Sequence, residues 1–304
     1  PGIEHAITSN ECFHLDKLPE RVVVVGGGYI ALEFAGIFNG LGSDTTVLYR
    51  GEQVLRGFDM DVRNFLADEL GKKGIKIRCK TDVARIDKQG GALRLTLKDG
   101  ATLDCDQVLY ATGRRPLTRN MGLDKVGVQL DEIGAVKVDA RSQTSVPNIY
   151  AVGDCTNRIN LTPVAIREGH AFADSVFGKT PWQVDHADCP SAVFTQPPVG
   201  SVGLSEEAAR AKFGAIDIYR ESFRPMKHTM TGRTERALMK LIVDRKSQVV
   251  VGAHMVGSDA PEIIQTLAIA VKLKATKQQI DQTIAVHPTA AEEFVTMRTP
   301  VAAE

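Results

Sequence analysis

The sequence predicts an α/β protein with more than one domain, and three observations carry this prediction. An apolar β-branched run at 22–25 ends in three glycines and continues with helical spacing, which is typical of a buried parallel strand that turns into a helix. Short apolar strands and a hairpin signal then follow as far as residue 112. Beyond Pro190, further strands are combined with two helices, and a length of 304 residues suits about two domains.

The glycine turn after the first strand predicts a dinucleotide site. Gly26, Gly28 and Ala31 fit G-x-G-x-x-A, in which the first glycine permits a tight turn and the second lets the backbone approach a pyrophosphate. The helix N-terminus beyond the turn favours negative charge. The structural alternative is a strand–turn–helix without a ligand. We expect one side of the helix to carry its large apolar residues, Ile30, Phe34, Ile37 and Phe38.

The end of the second strand, 45–49, indicates which dinucleotide binds. NAD sites place an acidic residue there for the ribose 2′-OH, whereas this chain has Arg50, with Arg56 six residues later. A guanidinium can bind a 2′-phosphate bidentately, so the pair favours NADPH. Glu52 lies beyond the strand end. The alternative is two solvated surface arginines.

The rest of the chain follows from the same periodicity and turn signals. After a charged helix, roughly 60–73, several strands lead to an apolar strand at 107–112 that we expect to return to the parallel sheet beside the first strand. A loop-rich region then contains a short buried strand, 148–154, and a helix that Pro163 opens and that runs to about 177. In the last region, strands are predicted at 191–194, 216–223, 237–243 and 249–256, and helices at 261–274 and 276–284.

Composition limits the function classes. With 37 basic and 37 acidic side chains, the net charge is zero and gives no support for binding nucleic acid or an anionic membrane. No signal peptide or apolar span is visible, which predicts a cytoplasmic protein. The five cysteines lack C-x-x-C and C-x-x-x-x-C spacing, which indicates reduced thiols and neither a disulfide framework nor a metal site. The chain begins at Pro1 without a methionine, so we expect an upstream segment to be missing.

Five motifs occur in an order that resembles the pyridine nucleotide–disulfide oxidoreductases, and among these the members that reduce oxidised glutathione. The motifs are GGGYIA at 26–31, ATGRRP at 111–116, AVGD at 151–154, LTPVA at 161–165 and HPTAAEE at 287–293. The resemblance implies an α/β fold with a Rossmann-like NADPH-binding domain (1–115), the second part of an FAD-binding domain (116–187) and an α+β dimer-interface domain (188–304). It implies NADPH and FAD as cofactors, oxidised glutathione as substrate and a homodimer. The family's N-terminal FAD segment with its redox cysteine pair is not in this sequence.

The resemblance also implies roles for single residues in cofactor binding. Asp154 would bind the flavin ribityl or phosphate region, and Thr162 would meet the flavin's pyrimidine side. Tyr29 would be the lid over the flavin, Glu33 would pair with a lysine of the missing segment, and Arg114 would lie near the NADPH phosphates. Each has an ordinary alternative. Asp154 can belong to a simple turn, Thr162 can be an N-cap, and Tyr29 can be a packing aromatic. Glu33 can be an acid that interacts with the helix dipole, and Arg114 can be a surface arginine. The predicted cofactor-binding residues are Gly26, Gly28, Tyr29, Ile30, Glu33, Arg50, Arg56, Gly113, Arg114, Asp154 and Thr162.

His287 is the predicted acid–base residue. It precedes Pro288, and Glu292 lies five residues on and can face back, which is the arrangement of a carboxylate-oriented imidazole. By the resemblance, His287 protonates the departing glutathione thiolate, and Met226 and Glu293 line the glutathione site. His170 stands where some relatives have a substrate-binding arginine.

Two alternatives to glutathione reduction by a complete enzyme stay open. The chain alone can be a non-catalytic NADPH-binding and dimerisation fragment, because none of its cysteines has the spacing of the catalytic pair. The parent enzyme can also be another NADPH-dependent disulfide reductase of the family, with a different disulfide as substrate.

Overall fold

The computed structural model describes residues 1–178 and 180–302. It divides into two compact units: Pro1–Thr112 with Asp188–Glu304, and Gly113–Ala187. The second unit begins three residues before the predicted partial FAD-binding domain and ends at the same residue. The predicted NADPH-binding and interface domains fall mostly within one compact unit, so the three-domain division stays a prediction.

Strands and helices are numbered along the chain. The strands are β1 (Arg21–Val25), β2 (Asp44–Leu48), β3 (Lys76–Arg78), β4 (Val83–Gln89), β5 (Ala92–Leu97), β6 (Thr102–Cys105), β7 (Gln107–Tyr110), β8 (Ser191–Val193), β9 (Val199–Gly203), β10 (Ile216–Phe223), β11 (Ala237–Asp244) and β12 (Val250–Val256). The helices are α1 (Ser9–Cys12), α2 (Tyr29–Gly40), α3 (Met60–Lys72), α4 (Thr162–Val176), α5 (Glu206–Phe213), α6 (Lys227–Thr231), α7 (Ala260–Lys272), α8 (Lys277–Asp281) and α9 (Glu293–Thr296). Within the described ranges, none of these helices has the length and apolar character needed to cross a membrane.

A parallel sheet in the order β3-β2-β1-β7 forms the first part of the larger unit. The predicted return of β7 beside β1 is confirmed, with Val22 opposite Gln107 and Val25 opposite Tyr110. Four of the five residues of β1 are buried, as expected of a central strand covered on both faces. The carboxyl ends of β1, β2 and β7 meet at one edge of the sheet, and this edge carries the glycine turn.

The buried face of α2 differs from the predicted one. Ile37 is 48% exposed, and Ile30 and Phe34 are only half-buried. Three small residues, Ala31, Ala35 and Gly36, let the helix pack closely on the strands, and the larger Leu32 and Phe38 are buried beside them. The buried residues of α2 are Ala31, Leu32, Ala35, Gly36 and Phe38.

Two antiparallel sheets complete the larger unit, in the orders β4-β5-β6 and β10-β11-β12-β9-β8. The predicted hairpin signal at Asp99-Gly100 is confirmed, because Gly100 has a φ of 88° and the Leu97 N–H donates to the Ala101 carbonyl at 2.8 Å. The predicted amphipathic helix near 261–274 is α7, and Thr276 caps α8 through a capping box.

The prediction missed β9 and α5, which lie between β8 and β10. The sequence of β9, VGSVG, lacks the apolar alternation of a strand because α7 packs directly on its glycine. A Cβ on Gly200 would lie 2.6 Å from the Ala260 carbonyl oxygen of α7. Close packing therefore selected glycine where a strand pattern would have an apolar residue.

The second unit consists of loops, short 3-10 turns and α4, which begins with Thr162 and Pro163 as predicted. The predicted strand at 148–154 is wrong in the form stated. The segment makes one isolated bridge, between Tyr150 and Gln143, and a 3-10 helix begins at Gly153. A strand needs repeated ladder hydrogen bonds, and the described residues of this unit supply a single bridge to the segment.

Candidate functional site

The turn between β1 and α2 is built around a glycine that no other residue can replace. Gly26 has a φ of 145°, and its N–H donates to the Leu48 carbonyl at 2.9 Å. A Cβ there would lie 2.3 Å from the Ala111 carbonyl oxygen of the strand on the other side. The two neighbouring strands therefore hold the turn in place at the carboxyl edge of the sheet.

Gly28 meets a different requirement. It is the N-cap of α2, has a φ of −86° and lies in open space, because no neighbouring atom comes within 4 Å of the position that a Cβ would take. Neither strain nor packing requires glycine here. No side chain caps the N-terminus of α2, and Gly28 has no side chain to cover it. The backbone N–H groups there are therefore open to an anion.

The middle glycine carries a contact that the sequence analysis missed. A Cβ on Gly27 would lie 2.5 Å from the ring of Tyr49, and one on Gly51 would lie 2.6 Å from the same ring. The tyrosine ring thus packs between the glycine turn and the residues after β2. The signal was present in the sequence as an aromatic residue between β2 and Arg50, but nothing in the spacing indicates where its ring lies.

The segment after β2 carries both predicted arginines on the surface. Arg50 and Arg56 are exposed, and within the described residues no carboxylate lies at ion-pair distance from either guanidinium. Glu52, which lies between them, pairs instead with Lys80 at 2.7 Å. Both side chains are therefore open to solvent and free of an acidic partner among the described residues, and their binding of a phosphate stays a prediction.

Backbone contacts hold this arginine segment (50–58) against the glycine turn. The N–H of Leu55, a buried residue with a φ of 58°, donates to the Gly27 carbonyl at 2.6 Å. From α3, Arg63 donates to the carbonyl oxygens of Val54 at 2.7 Å and Gln53 at 2.6 Å. The sequence analysis missed Arg63, because its role depends on how α3 packs.

Tyr29, Ile30 and Glu33 lie on the first turns of α2. Tyr29 is exposed and Ile30 is half-buried. The Oε1 atom of Glu33 accepts a hydrogen bond from the N–H of Phe194 at 2.8 Å, which joins α2 to the residue after β8. This contact was not predicted, and the predicted pairing of Glu33 with a lysine stays a prediction.

The second unit contains Gly113, Arg114, Asp154, Thr162 and His170. Gly113 has a φ of 133°, and Arg114, Thr162 and His170 are exposed. Thr162 is the first residue of α4, and the N-cap of this helix is Leu161, which makes no side-chain capping hydrogen bond. The alternative that Thr162 is an N-cap is therefore wrong. The side chain of Thr162 is therefore free of a capping role.

Asp154 is exposed at the start of the 3-10 helix Gly153–Thr156. The preceding Gly153 has a φ of 71°, and a Cβ on it would lie 2.9 Å from the Cβ of Ala165 in α4. The turn that presents Asp154 is thus fixed by close contact with α4. An exposed carboxylate on a fixed turn suits a ligand hydroxyl group.

Glu168 supports this turn and was missed by the sequence analysis. Its carboxylate is buried, and Oε2 accepts a hydrogen bond from the Gly153 N–H at 2.7 Å. Its Oε1 lies 2.9 Å from the Arg158 guanidinium and 2.7 Å from Nε2 of His186. A buried carboxylate with three partners positions the residue before Asp154, and the place of Glu168 in the second turn of α4 gave no sign of this.

His287 and Glu292 are brought together as the sequence predicted. Nδ1 of His287 lies 3.0 Å from Oε2 and 3.2 Å from Oε1 of Glu292, while the imidazole is largely exposed. The hydrogen bond with His287 holds the pKa of the Glu292 carboxyl below its usual range, and the Thr289 N–H contributes to this. An ionised Glu292 on Nδ1 leaves Nε2 of His287 for proton exchange with a substrate.

The two predicted substrate residues lie in the same unit. Met226 is 68% exposed and is the N-cap of α6, and Glu293 begins α9. Burial raises the pKa of the Glu293 carboxyl, and the neighbouring carboxylates of Glu292 and Glu221 raise it further.

None of the five cysteines is an activated thiol. All are free, and burial raises the pKa of Cys12 to about 11 and that of Cys105 to about 12. Burial also raises the pKa of Cys79, Cys155 and Cys189. A thiol with a raised pKa is a poor nucleophile. Over the described part of the chain, no group of three or more His, Cys, Asp or Glu residues is placed to hold a metal ion.

Together these features define a class: an α/β dinucleotide-binding protein whose glycine turn lies beside two unpaired arginines, and which carries a carboxylate-oriented histidine. The chain belongs to the pyridine nucleotide-disulphide oxidoreductase family, whose model matches residues 1–169. The dimerisation domain of the same family matches residues 189–298. The predicted family is therefore confirmed.

Individual relatives agree with this assignment. The chain is 54% identical over 297 residues to a glutathione reductase of Burkholderia cepacia, covering 98% of this chain and 66% of that protein. It is 46% identical over 305 residues to a trypanothione reductase of Trypanosoma congolense, covering 99% and 62%. Among solved structures, the HOCl-induced flavoprotein disulfide reductase RclA from Escherichia coli superimposes with a TM-score of 0.90 at 28% identity, covering 98% and 69%. The chain thus spans about two thirds of the length of each of these proteins. The family name contains the predicted pyridine nucleotide, and the name of RclA describes a flavoprotein.

Proposed function

We propose that this chain is part of an NADPH-dependent reductase that reduces oxidised glutathione through FAD and a redox-active disulfide. The observation that carries the proposal is the glycine turn at Gly26–Gly28 with Arg50 and Arg56 exposed and unpaired beside it. Identity of 54% to a glutathione reductase supports this substrate over other disulfides. The three predicted domains, 1–115, 116–187 and 188–304, are the NADPH-binding, partial FAD-binding and interface domains of this proposal.

The residues of the site fit the two cofactors. Gly26, Gly28 and the N-terminus of α2 form a cradle for a pyrophosphate, and Arg50 and Arg56 hold the 2′-phosphate. When bound, NADPH supplies a hydride and FAD passes the electrons on to a disulfide. For the second unit, Asp154 binds a flavin hydroxyl and Thr162 lies at a helix N-terminus that stabilises negative charge. The remaining proposed cofactor contacts are Tyr29, Ile30, Glu33, Gly113 and Arg114.

His287 handles the proton of the reaction. Reduction of oxidised glutathione by a cysteine thiolate forms a mixed disulfide and releases one glutathione as a thiolate, which takes up a proton. Glu292 holds Nδ1 of His287, so Nε2 is the atom that donates this proton. Met226 and Glu293 contact the glutathione, and His170 occupies the position that the resemblance gives to a substrate-binding arginine.

The proposal includes a homodimer and a cytoplasmic location. The match to a dimerisation domain over residues 189–298 supports the first, and sedimentation of the purified chain tests it. Five free cysteines support a reducing compartment.

A competition between the two nicotinamide cofactors tests the nucleotide assignment. In the 304-residue chain, Arg50→Gln with Arg56→Gln removes charge-assisted hydrogen bonds, and we expect the Kd for NADPH to rise at least roughly tenfold. The Kd for NADH should stay within about twofold, because NADH has no 2′-phosphate. Fluorescence titration measures both constants, and Arg85→Gln, another exposed arginine, is the matched control. Equal losses for NADPH and NADH would contradict the 2′-phosphate assignment.

The same preparation tests a second candidate function, NADPH binding and dimerisation without turnover. The raised pKa of every cysteine in the chain favours this behaviour for the isolated chain. We expect NADPH to bind but not to be oxidised when oxidised glutathione is added. Oxidation of NADPH that depends on added oxidised glutathione would contradict this second function.

A further inference from the structure

A cavity with a volume of about 460 Å³ lies within the larger unit. It is lined from four segments: the end of α3, the residues before β9, the α6 region up to Glu235, and Ser258 after β12. Of the described residues that line it, none belongs to the nucleotide, flavin or acid–base residues above. The cavity therefore needs an explanation of its own.

The lining carries an excess of positive charge. Lys73, Lys227 and Arg233 face one carboxylate among the described lining residues, Glu235. Glu235 is already engaged, with Oε2 at 2.7 Å from Nζ of Lys73. Nζ of Lys227 donates to the Ser258 hydroxyl at 2.7 Å, and no ion pair of Lys227 or Arg233 occurs within the described part of the chain. Two cations are thus left without an acidic counterpart at the cavity.

His228 adds a buried donor to the same cavity. It is 3% exposed, and its Nδ1 lies 3.4 Å from the Thr231 hydroxyl. Its Nε2 lies 3.5 Å from Oε1 of Glu235, which is within ion-pair distance for a protonated imidazole but too long for a normal hydrogen bond, and within the described residues this buried atom has no hydrogen-bond partner. A buried polar atom without a partner is costly, and a ligand oxygen at the cavity would supply one.

We propose that this cavity binds the phosphate group of a small phosphate ester. A tetrahedral phosphate offers three terminal oxygens, enough for Lys227, Arg233 and Nε2–H of His228 to donate together, whereas a carboxylate offers two. The volume lies in the range of small-molecule sites and exceeds that of the phosphate group alone, so the ester's organic part fits beside the two prolines, Pro197 and Pro198.

Calorimetric titration of the 304-residue chain tests this site apart from the nucleotide site. All titrations use the Arg50→Gln/Arg56→Gln background, so that the proposed 2′-phosphate site does not contribute and the outcome does not depend on it. The probes are inorganic phosphate, glycerol 3-phosphate and, for comparison, succinate. We expect saturable binding of both phosphates, with glycerol 3-phosphate the tighter, and weaker binding of succinate.

Two further variants locate the binding. Adding Lys227→Gln and Arg233→Gln should raise the Kd for glycerol 3-phosphate roughly tenfold or more. Adding Arg85→Gln and Lys88→Gln, which removes the same charge from exposed positions on β4, should leave the Kd unchanged. As a measurement that needs no further mutation, the ¹⁵N signal of Nε2 of His228 should shift on phosphate binding. No saturable binding, equal binding of succinate, equal losses in the two double variants or an unchanged His228 signal would overturn the proposal.

Discussion

Lys240→Met removes an ammonium group that three carboxylates share inside the larger unit. Lys240 is 1% exposed on β11, and its Nζ lies 2.9 Å from Oδ1 of Asp59, 2.7 Å from Oδ2 of Asp61 and 2.7 Å from Oε2 of Glu206. The cluster joins the start of α3 to β11 and α5. Methionine has a similar length and no charge, so the change tests the electrostatic contribution without opening a large cavity.

The size of the effect depends on which partners the carboxylates keep. Asp61 keeps the Arg220 guanidinium at 2.5 Å, and Glu206 keeps that of Arg210 at 2.7 Å. Asp59 keeps the N–H groups of Asp61 and Glu206, at 3.0 and 2.9 Å. Adding up the three hydrogen bonds of Lys240 at about 1.5–3 kcal/mol each would overstate the loss, because the carboxylates keep these other partners. We expect the free energy of unfolding to fall by about 3–5 kcal/mol, the usual result of removing one partner from a buried ion pair.

Urea denaturation of the 304-residue chain, followed by circular dichroism, measures this loss. Lys76→Met is the matched control, because Lys76 pairs with Asp44 at 2.8 Å on the surface, and such pairs contribute about 0–1 kcal/mol. A loss in Lys240→Met no larger than that in Lys76→Met would refute the reasoning. It would mean that desolvation of the four charged groups cancels their attraction.

The pH dependence of this stability loss has a predictable direction. Burial opposes ionisation of Asp61 and Glu206, but their hydrogen bonds with Arg220, Arg210 and Lys240 outweigh it and lower the pKa of both carboxyls. A carboxyl whose pKa is lower in the folded state stabilises the fold at any pH above its pKa in the unfolded chain, near 4. This stabilisation is lost as the pH falls through the pKa of the folded state. Without Lys240 the pKa of each carboxyl should rise, so the stability difference between the wild type and Lys240→Met should shrink as the pH falls below about 4. A difference that is constant between roughly pH 7 and pH 3 would contradict this account.

Three further predictions concern the sites. Gly28→Ala should leave the melting temperature unchanged and weaken the binding of NADPH. Gly26→Ala should lower the free energy of unfolding by at least about 2 kcal/mol. Equal melting temperatures of the two variants would contradict the role given to the turn. Glu168→Gln should destabilise the second unit by about 1–3 kcal/mol, measured by hydrogen exchange at Gly153, and no loss of protection there would show that another group holds the turn. Glu292→Ala should remove the acceptor at Nδ1 of His287 and shift the neutral ring toward the Nε2–H tautomer; unchanged ¹⁵N ring signals would show that Glu292 does not orient the imidazole.

Local signals in the sequence predicted the elements that depend on local chemistry. The β-branched run at 22–25 favours a strand, and the glycines after it and the Asp99-Gly100 pair permit the turns that their neighbours require; the structure contains all three. The same reasoning failed where packing overrides local preference. In β9, Gly200 faces the backbone of α7, and on α2 the small residues face the sheet in place of the larger Ile37. A pattern of apolar side chains cannot reveal a surface that is selected for the absence of side chains.

At the candidate site, the sequence suggested the side chains that we propose for ligand binding but not those that hold them in place. Arg50 and Arg56 could be proposed from the sequence because a guanidinium has the chemistry that a phosphate requires, and residue chemistry is visible in the sequence. Arg63, Glu168 and Lys240 could not be predicted, because an isolated charged residue reads as solvent-exposed until its partners are known.

The arginine segment shows why this distinction matters for function. Its two arginine side chains are exposed and have no ion-pair partner among the described residues, so the proposed binding of a 2′-phosphate depends on the backbone beneath them. That backbone is held at Leu55 by the Gly27 carbonyl, at Val54 by Arg63, and at its end by Asp59, whose carboxylate contacts Lys240. Two of these three anchors come from α3 and its N-cap, and the last reaches β11, 181 residues away. On the proposed function, selectivity for a phosphorylated nucleotide is therefore coupled to the packing of the antiparallel sheet. Lys240→Met should accordingly weaken NADPH more than NADH in the titration that tests Arg50 and Arg56, although no atom of Lys240 needs to contact the nucleotide.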